Sequence, residues 1–411
     1  MKKLLLVSAI AASTLMASGY KIPEQSLNST ALAGAYVSNA STADTAYFNP
    51  ANMAFMSSDK HLELNLMYIH LNPVQFSGDL TGPYGPGGAI VTAPSESESK
   101  SESFVIPQMY LVSAPIGEDE DIRLGLSVNA PAGLSKRWTT GIESAFAEEF
   151  SLKVIEVNPT ISYRIMDGLA IAGGVRFVYS EGVVKSSLGL DMDGHSWDLG
   201  YNLALSYKPF EMWGMALTYR SAVDLTEEGG QSTGFPSPYP TAVPASVTVP
   251  LPATFTLATD VSITKSTNIE FVYERAFWSA YKELDIKVDM SGLGGPINHI
   301  RSDKNWEDSN TFRLGLTQGL GESVNLMFGL AYDQTPVPNE SLGFELPDSD
   351  GYIGSVGARW AVNEELDFGA AILYDKKEDR FVSRDDNENG IDGTFSGSGA
   401  ILLSVGLGYK F

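Results

Sequence analysis

The chain has 411 residues, no cysteine, and 27 basic side chains against 50 acidic ones, which gives a formal net charge of −23 at pH 7. The absence of cysteine excludes a disulfide framework and any metal or redox site built on thiolates. The acidic excess argues against the basic surface that a nucleic-acid partner requires, so no such partner is expected.

The first predicted element is a short targeting segment. Lys2 and Lys3 precede an apolar stretch over residues 4–16, and a small residue follows at Ala17. A membrane-spanning helix needs about 20 apolar residues, so this stretch is too short for one. A buried N-terminal helix is the alternative, but the basic start and small-residue exit favour a cleaved signal peptide over residues 1–17. The protein is therefore expected to be exported.

Residues 18–57 form the second predicted element, which is rich in alanine, serine, threonine and asparagine and shows little alternation. Two interpretations are open: a disordered tail, or a plug folded into the lumen of a barrel. Apolar side chains at Leu27 and Leu32, set among small residues, favour the compact plug. Asn49 and Pro50 predict a turn in which the side-chain amide caps backbone donors, since both residue types favour such turns.

Residues 58–411 alternate between apolar and polar side chains in segments of about 10 residues, with the period of a β-strand. In one segment Trp197, Leu199 and Tyr201 share a face, with polar or small residues between them. Soluble sandwiches also alternate, but this length and the aromatic residues near segment ends are typical of membrane strands. Counting segments from Leu62 gives about 14 strands. The pattern predicts an all-β protein, a 14-stranded antiparallel transmembrane barrel.

Short turns alternate with long connections between these segments, as expected of outer-membrane barrels. The short ones lie at residues 166–168, 209–211, 264–267, 320–323 and 362–365. The long ones, predicted to be solvated loops, cover residues 72–103, 131–149, 224–250, 289–305, 334–350 and 376–395. This asymmetry predicts periplasmic turns, external loops and a place in the outer membrane of a Gram-negative bacterium.

The last predicted strand carries apolar side chains at every odd position from Ile401 to Phe411. In a soluble protein so apolar a strand would be an exposed sheet edge and an aggregation hazard, whereas a closed barrel has no edge. The terminal aromatic residue resembles the signal that the barrel-assembly machinery reads, so that machinery is an expected partner during biogenesis.

The sequence offers no constellation of residues for catalysis, and no enzyme activity is expected. Asp385, Asn387 and Asn389 match the first half of a calcium-binding loop, but its twelfth position is Ser396 rather than glutamate. A calcium ion in an external loop and a plain acidic loop are the two interpretations. No other cofactor is expected.

Several segments resemble the FadL/TodX family of outer-membrane transporters for long-chain fatty acids and aromatic hydrocarbons. In the stretch SGYKIPEQSLNSTALAGAYVSNASTADTAYFNPANMAF, Gly34 and the triplet Asn49-Pro50-Ala51 are similar to the family's hatch pattern. APAGLSKRW at 130–138 and further segments follow in order along the chain. The resemblance implies a monomeric 14-stranded barrel with an N-terminal hatch inside its lumen.

The resemblance also implies that substrate binds an internal apolar pocket and leaves sideways, through a gap at the kinked third strand, into outer-membrane lipid. In this sequence Pro131 lacks a backbone donor and Gly133 relaxes the backbone, so the break is expected between Asn129 and Gly133. The alternative is an ordinary strand end, with proline and glycine opening a loop.

The ligand-binding residues expected from the resemblance begin with Tyr20, at a position where the hatch's aromatic end touches the ligand. Where the family has a basic residue for a carboxylate head group, this chain has Glu181. Arg176, Arg301 and Lys304 are nearby basic residues that are candidates to bind such a head group. Fatty acids, aromatic hydrocarbons and other lipophiles therefore all stay open as substrates. A polar-solute porin and a structural or adhesive surface barrel are the competing functions.

Overall fold

The structure of the protein is a computed structural model, which describes residues 19–82, 89–232 and 240–411. The predicted signal peptide, residues 1–17, lies outside the described residues. Three short helices are α1 (Leu27–Ala31), α2 (Thr45–Phe48) and α3 (Ser144–Ala147), and 3-10 helices cover Pro50–Phe55, Trp278–Ala280, Ser291–Leu293 and Arg384–Asp386.

The rest of the regular structure is β-strand. The first strands are β1 (His61–Leu71), β2 (Gln75–Gly82), β3 (Val91–Glu98), β4 (Glu102–Val112), β5 (Ile122–Asn129), β6 (Gly133–Lys136), β7 (Glu149–Met166) and β8 (Leu169–Lys185). There follow β9 (Asp191–Phe210), β10 (Trp213–Arg220), β11 (Val223–Ser232), β12 (Ala242–Leu251), β13 (Thr254–Thr264), β14 (Thr267–Ala276), β15 (Glu283–Asp289) and β16 (Ile297–Asp303). The last are β17 (Ser309–Leu320), β18 (Val324–Asp333), β19 (Gly351–Ala361), β20 (Leu366–Lys377), β21 (Arg380–Val382), β22 (Ile391–Ser396) and β23 (Gly399–Lys410).

The large sheet closes on itself, because β1 pairs with β4 on one side and with β23, the last strand, on the other. Every pairing is antiparallel. Where two strands that are consecutive in sequence follow one another along the same line of the wall, we count them as one wall strand. The wall then has 14 positions: β1, β4, β5 with β6, β7, β8, β9, β10 with β11, β12 with β13, β14 with β15, β16 with β17, β18, β19, β20 and β23. The predicted 14-stranded antiparallel barrel is confirmed.

The outer face of the wall is apolar. In β9 the odd-numbered side chains point outward, and Trp197 and Leu199 are 68% and 67% exposed. Such a band is stable in contact with lipid chains and would be costly in water. In the three ranges that the structure describes, no helix is long and apolar enough to cross a membrane.

The two ends of the barrel differ as predicted in connection length, but the long connections are not all loops. The five predicted short turns join wall strands directly, and residues 334–350 form an irregular loop. Other predicted loops instead contain strands: β2, β3, β6, β11, β12, β16, β21 and β22. β11 and β12 continue the wall, whereas β2, β3, β21 and β22 form a separate four-stranded sheet. In β3 and in the first half of β11, acidic, serine and threonine side chains obscured an alternation of burial that is present.

The N-terminal segment, residues 19–57, lies inside the barrel. Helix α1 contacts β18, β19, β20 and β23, whereas the 3-10 helix Pro50–Phe55 contacts β5, β7, β8 and β9. These two groups of strands lie on opposite sides of the ring, so the segment crosses the lumen. Most of its side chains are buried, among them Leu27, Ala46 and Met53. Above it, towards the long connections, a large apolar cluster fills the barrel.

Candidate functional site

The third wall strand is broken where proline and glycine predicted a break. β5 ends at Asn129 and β6 begins at Gly133. Against β7, Asn129 pairs with Glu156 and Gly133 pairs with Lys153. Three residues of the third strand, 130–132, therefore face only two of β7, at 154 and 155. One extra residue on one strand is a β-bulge, which bends the strand that carries it.

On its other side the bent strand leaves a gap in the wall. β4 pairs with β5 only from Met109 with Val128 to Val112 with Gly125. In the described part of the chain, Glu102–Gln108 of β4 pairs with β1 and with no other strand.

Backbone contact across the gap returns above it, where the Lys100 N–H donates to the Arg137 carbonyl at 2.9 Å. The gap is therefore closed at both ends. We call it the window, bounded by residues 102–108 and 129–136. At about 3.3 Å per strand residue it is roughly 20 Å long.

The first described residues cover the window from the lumen. The Ile22 N–H donates to the Pro131 carbonyl at 2.9 Å, and the Gly133 N–H donates to the Tyr20 carbonyl at 2.9 Å. The Gln25 side-chain amide donates to the Ala130 carbonyl at 2.7 Å and accepts from the Ala130 N–H at 3.1 Å. Buried backbone groups need partners, and this strip, residues 20–25, supplies them where β4 does not.

Apolar side chains complete the cover. Ile22 and Ala130 belong to one buried cluster with Phe104 and Ile106 of β4, so apolar side chains pack across the lumen side of the window. At membrane depth an unpaired strand edge is tolerated only where protein or a cavity receives it. The predicted residues Asn129, Pro131 and Gly133 all lie at the break. Of the residues that cover it, Gln25 is similar to the family's hatch pattern but was given no role at the break, and Ile22 was not singled out from the sequence.

An outer pocket lies above the strip, within the apolar cluster, and its cavity volume is about 20 Å³. Its walls are mainly apolar: Leu134, Phe150, Leu152, Val184, Val247, Val249 and Leu346. Tyr20 forms its floor. The Tyr20 ring centroid lies 4.7 Å from that of Trp278 and 5.7 Å from that of Trp306, and its hydroxyl donates to the Pro250 carbonyl.

Of the three candidate basic residues, only Lys304 reaches this pocket. Its Nζ lies 2.5 Å from Oε1 of Glu345, which also lines the pocket. Arg301 lies outside it on β16, with its side chain 57% exposed and its Nε 3.5 Å from Asp285. The structure thus brings Tyr20 and Lys304 together and places Arg301 elsewhere.

Arg176 lines a second, inner cavity of about 80 Å³ that lies closer to the short-turn end. Lys21, Ile22 and Pro131 also line it, so the strip and the window edge separate the two spaces. The Arg176 Nε lies 2.8 Å from Oε2 of Glu156. Glu156 also contacts Arg220, which lines the same cavity, so one carboxylate faces two guanidinium groups and a net positive charge remains beside Arg176.

The predicted hatch residues anchor the N-terminal segment. Gly34 has a φ of +78°, in the left-handed region that favours glycine. Pro50 begins the 3-10 helix, and Ala51 is fully buried. The Asn49 amide does not cap backbone donors as predicted. It instead donates to the Val37 carbonyl at 2.9 Å and to the Ser206 hydroxyl of β9 at 2.8 Å, because acceptors rather than donors surround it.

A carboxylate of the wall gives a second anchor. The Glu270 side chain accepts hydrogen bonds from the backbone N–H groups of Val37, Ser38 and Asn39 at 2.7, 2.6 and 3.2 Å. Three successive N–H groups that converge on one carboxylate form a charge-assisted attachment. The N-terminal segment is therefore tied to the wall at several points.

The amides of the predicted calcium loop have other partners. The Asn387 Nδ2 donates to the carbonyls of Asn339 and Leu342, and its Oδ1 accepts from the Asn389 N–H at 3.0 Å. Asn389 donates to the Leu342 carbonyl at 3.0 Å. Across the described ranges no group of three or more histidines and carboxylates is arranged to hold a metal. A calcium site stays a prediction that rests on Asp385 and nearby carboxylates.

We expect the Asn387→Ala variant to be cleaved several-fold faster by protease within residues 376–395. The reason is that a buried amide with several hydrogen bonds, worth about 1 kcal/mol each, holds this loop to its neighbour. Asp385→Ala, at an exposed position, serves as the control and should be cleaved like the wild type. Chelation should not change wild-type cleavage, and protection that depends on calcium would restore the calcium interpretation.

The chain as a whole is similar to several known proteins. The family model described as "Outer membrane protein transport protein (OMPP1/FadL/TodX)" matches residues 8–411. The long-chain fatty acid transport protein of Escherichia coli O6:H1 is 23% identical, over 98% of this chain and 96% of its own length. The structure of a Pseudomonas aeruginosa FadL homologue superposes with a TM-score of 0.81 at 18% identity, covering 96% of this chain and 100% of that one. The P. putida toluene transporter TodX superposes with a TM-score of 0.67 at 15% identity, covering 96% and 99%.

Proposed function

Because the chain belongs to the OMPP1/FadL/TodX family of outer-membrane transport proteins, we propose that it carries hydrophobic compounds inward by lateral release through the window. The outer membrane of a Gram-negative bacterium is its location. The observation that carries the proposal is a gap in the wall, closed at both ends and covered from inside by a separate strip of chain.

The first step of the proposed route is binding in the outer pocket. A hydrophobic ligand gains roughly 0.8 kcal/mol for each methylene group that it buries. An exit through water into the periplasm would lose that gain again. An exit through the wall into the bilayer keeps the ligand in an apolar surrounding throughout, and the window is the break in the wall beside the pocket.

The second step is a movement of the strip. Residues 20–25 hold the bent strand through the four hydrogen bonds to Ala130, Pro131 and Gly133, and Ile22 fills the window. Displacement of the strip towards the inner cavity would leave the window lined by the apolar side chains of Phe104 and Ile106. A ligand bound against Tyr20, the first residue of the strip, is placed where it can trigger that displacement.

The relatives support a hydrophobic substrate, without distinguishing a fatty acid from an aromatic hydrocarbon. One relative is named as a long-chain fatty acid transporter and another as a toluene transporter, and the apolar lining of the outer pocket suits either kind of molecule. A polar-solute porin would need an open, charged lumen, whereas the N-terminal segment crosses the lumen here.

The proposal is tested by expressing the protein in a host that lacks its own transporter of this kind. We expect faster uptake of labelled oleate or toluene and no gain in the permeability to a sugar such as arabinose. A host strain with the empty vector is the control. Sugar permeability without any gain in hydrophobe uptake would overturn the proposal in favour of a porin.

The Asn49→Ala variant tests whether the N-terminal segment has a role in this route. Loss of the hydrogen bond to Ser206, worth about 1 kcal/mol, should loosen the segment and slow uptake roughly fivefold while the barrel still inserts. Asn363→Ala, in the turn at residues 362–365, is the matched control. Heat-modifiable gel mobility reports insertion. Normal uptake by a fully inserted Asn49→Ala variant would remove this residue from the mechanism.

A further inference from the structure

One acidic side chain of the outer pocket has no role in the route described so far. Glu227 lies on β11 and points inward, with 3% of its surface exposed. It lines the pocket, and its Oε1 is buried without a hydrogen-bond partner among the described residues. Buried polar atoms are normally paired, and a lone one calls for an explanation.

The surroundings of Glu227 are shaped to hold its carboxyl group. A Cβ atom at Gly182 of β8 would lie 1.8 Å from Oε2 of Glu227, so the carboxyl occupies the space that glycine leaves. Ser180, on the same strand as Gly182, pairs with Ser196 through its hydroxyl group at 2.9 Å. Oε2 thus packs against Gly182, and Oε1 is left for something that enters the pocket.

The other charges of the pocket do not favour an anionic ligand. Lys304 is the cation in its lining, and its Nζ already lies 2.5 Å from Glu345. A ligand carboxylate would therefore find no free ammonium group and would add a negative charge beside two carboxyl groups. A neutral hydroxyl group has neither disadvantage, and it can donate to Oε1 in either protonation state of Glu227.

We propose that the outer pocket selects lipophiles that carry a neutral hydroxyl group, such as phenols and alkanols, over the matching carboxylates, with Glu227 accepting the hydroxyl hydrogen bond. This inference rests on the proposed function, because it assumes that the outer pocket is where the transported molecule binds. Glu227 is then a specificity-determining residue, and the apolar walls bind the remainder of the ligand.

The test uses the full-length mature protein in lipid nanodiscs and three ligands of similar size: naphthalene, 2-naphthol and 2-naphthoate. We expect 2-naphthol to bind about tenfold more tightly than 2-naphthoate, and several-fold more tightly than naphthalene. Glu227→Leu should lower the affinity for 2-naphthol to that for naphthalene. Glu227→Gln keeps an acceptor oxygen and should retain most of the preference. Glu228→Leu, on the exposed outer face of the same strand, is the matched control.

The outcomes separate this inference from the proposed function. Equal wild-type affinity for 2-naphthol and 2-naphthoate, or unchanged 2-naphthol binding by Glu227→Leu, would overturn the inference alone. Failure of all three ligands to bind the wild type would overturn the outer pocket as the transport site. Naphthalene binding by Glu227→Leu shows that the variant is folded. If the variant does not fold, the wild-type affinities for 2-naphthol and 2-naphthoate still decide the inference.

Discussion

Deleting Ala132 and replacing Pro131 by threonine is expected to lower hydrophobe uptake by about tenfold or more, while ligand still binds in the outer pocket. The deletion removes the extra residue, so the stretch from Asn129 to Gly133 would match Glu156 to Lys153 of β7 one to one. Threonine restores the N–H donor that proline lacks, and its branched side chain favours a strand. The third strand is then free to pair with β4 and seal the window.

The side-chain directions support this design. In the shortened strand Leu134 would point inward, as its place in the outer pocket requires. Pro209→Thr with deletion of Gly189 is the matched control, because it makes the same kinds of change in the β8–β9 hairpin, away from the window. Uptake and ligand binding are measured on the same preparations. Wild-type uptake by a variant shown structurally to have a continuous third strand would refute the lateral route.

Deletion of residues 20–57 is expected to increase single-channel conductance on the order of tenfold, because the segment that crosses the lumen is then absent. Inward-facing charged side chains such as Glu63, Arg359 and Arg313 would lose the segment that covers them and draw in water. Conductance in planar bilayers containing potassium chloride gives the measurement.

The control for that experiment is a deletion of similar kind at the other end of the barrel, such as residues 291–295 in an external connection. It should leave conductance close to that of the wild type. Asn49→Ala should give a small rise or none, since one lost hydrogen bond loosens the segment without removing it. Unchanged conductance after deletion of residues 20–57 would mean that the segment does not close the lumen.

Much of the barrel could be predicted from the sequence because strand alternation is a local property. The outward positions of β9, from Trp197 to Leu205, are the exposed ones in the structure, and the break at Pro131 follows from the missing donor of proline. The strands β11 and β12 were mistaken for loops because acidic and small side chains occupy their outer faces.

The pairing of residues distant in sequence could not be predicted. Nothing local to β4 shows that Glu102–Gln108 lacks a second partner strand, since that depends on where the third strand bends. In the same way the sequence does not reveal that Arg176 and Arg220 share Glu156 or that Glu345 pairs with Lys304. A signal for Glu227 did exist, because it continues the inward alternation of Val223 and Leu225 in β11.

The direction of exit is the central claim, and fluorescence quenching tests it most directly. A fluorescent hydrophobe is added on the side of the long connections to the protein reconstituted in vesicles. One quencher is attached to lipid chains and another is dissolved in the vesicle interior. The lateral route predicts that the lipid quencher acts first, and that this early quenching is lost when Ala132 is deleted together with Pro131→Thr. Early quenching from the vesicle interior, with no prior signal from the lipid quencher, would contradict lateral release.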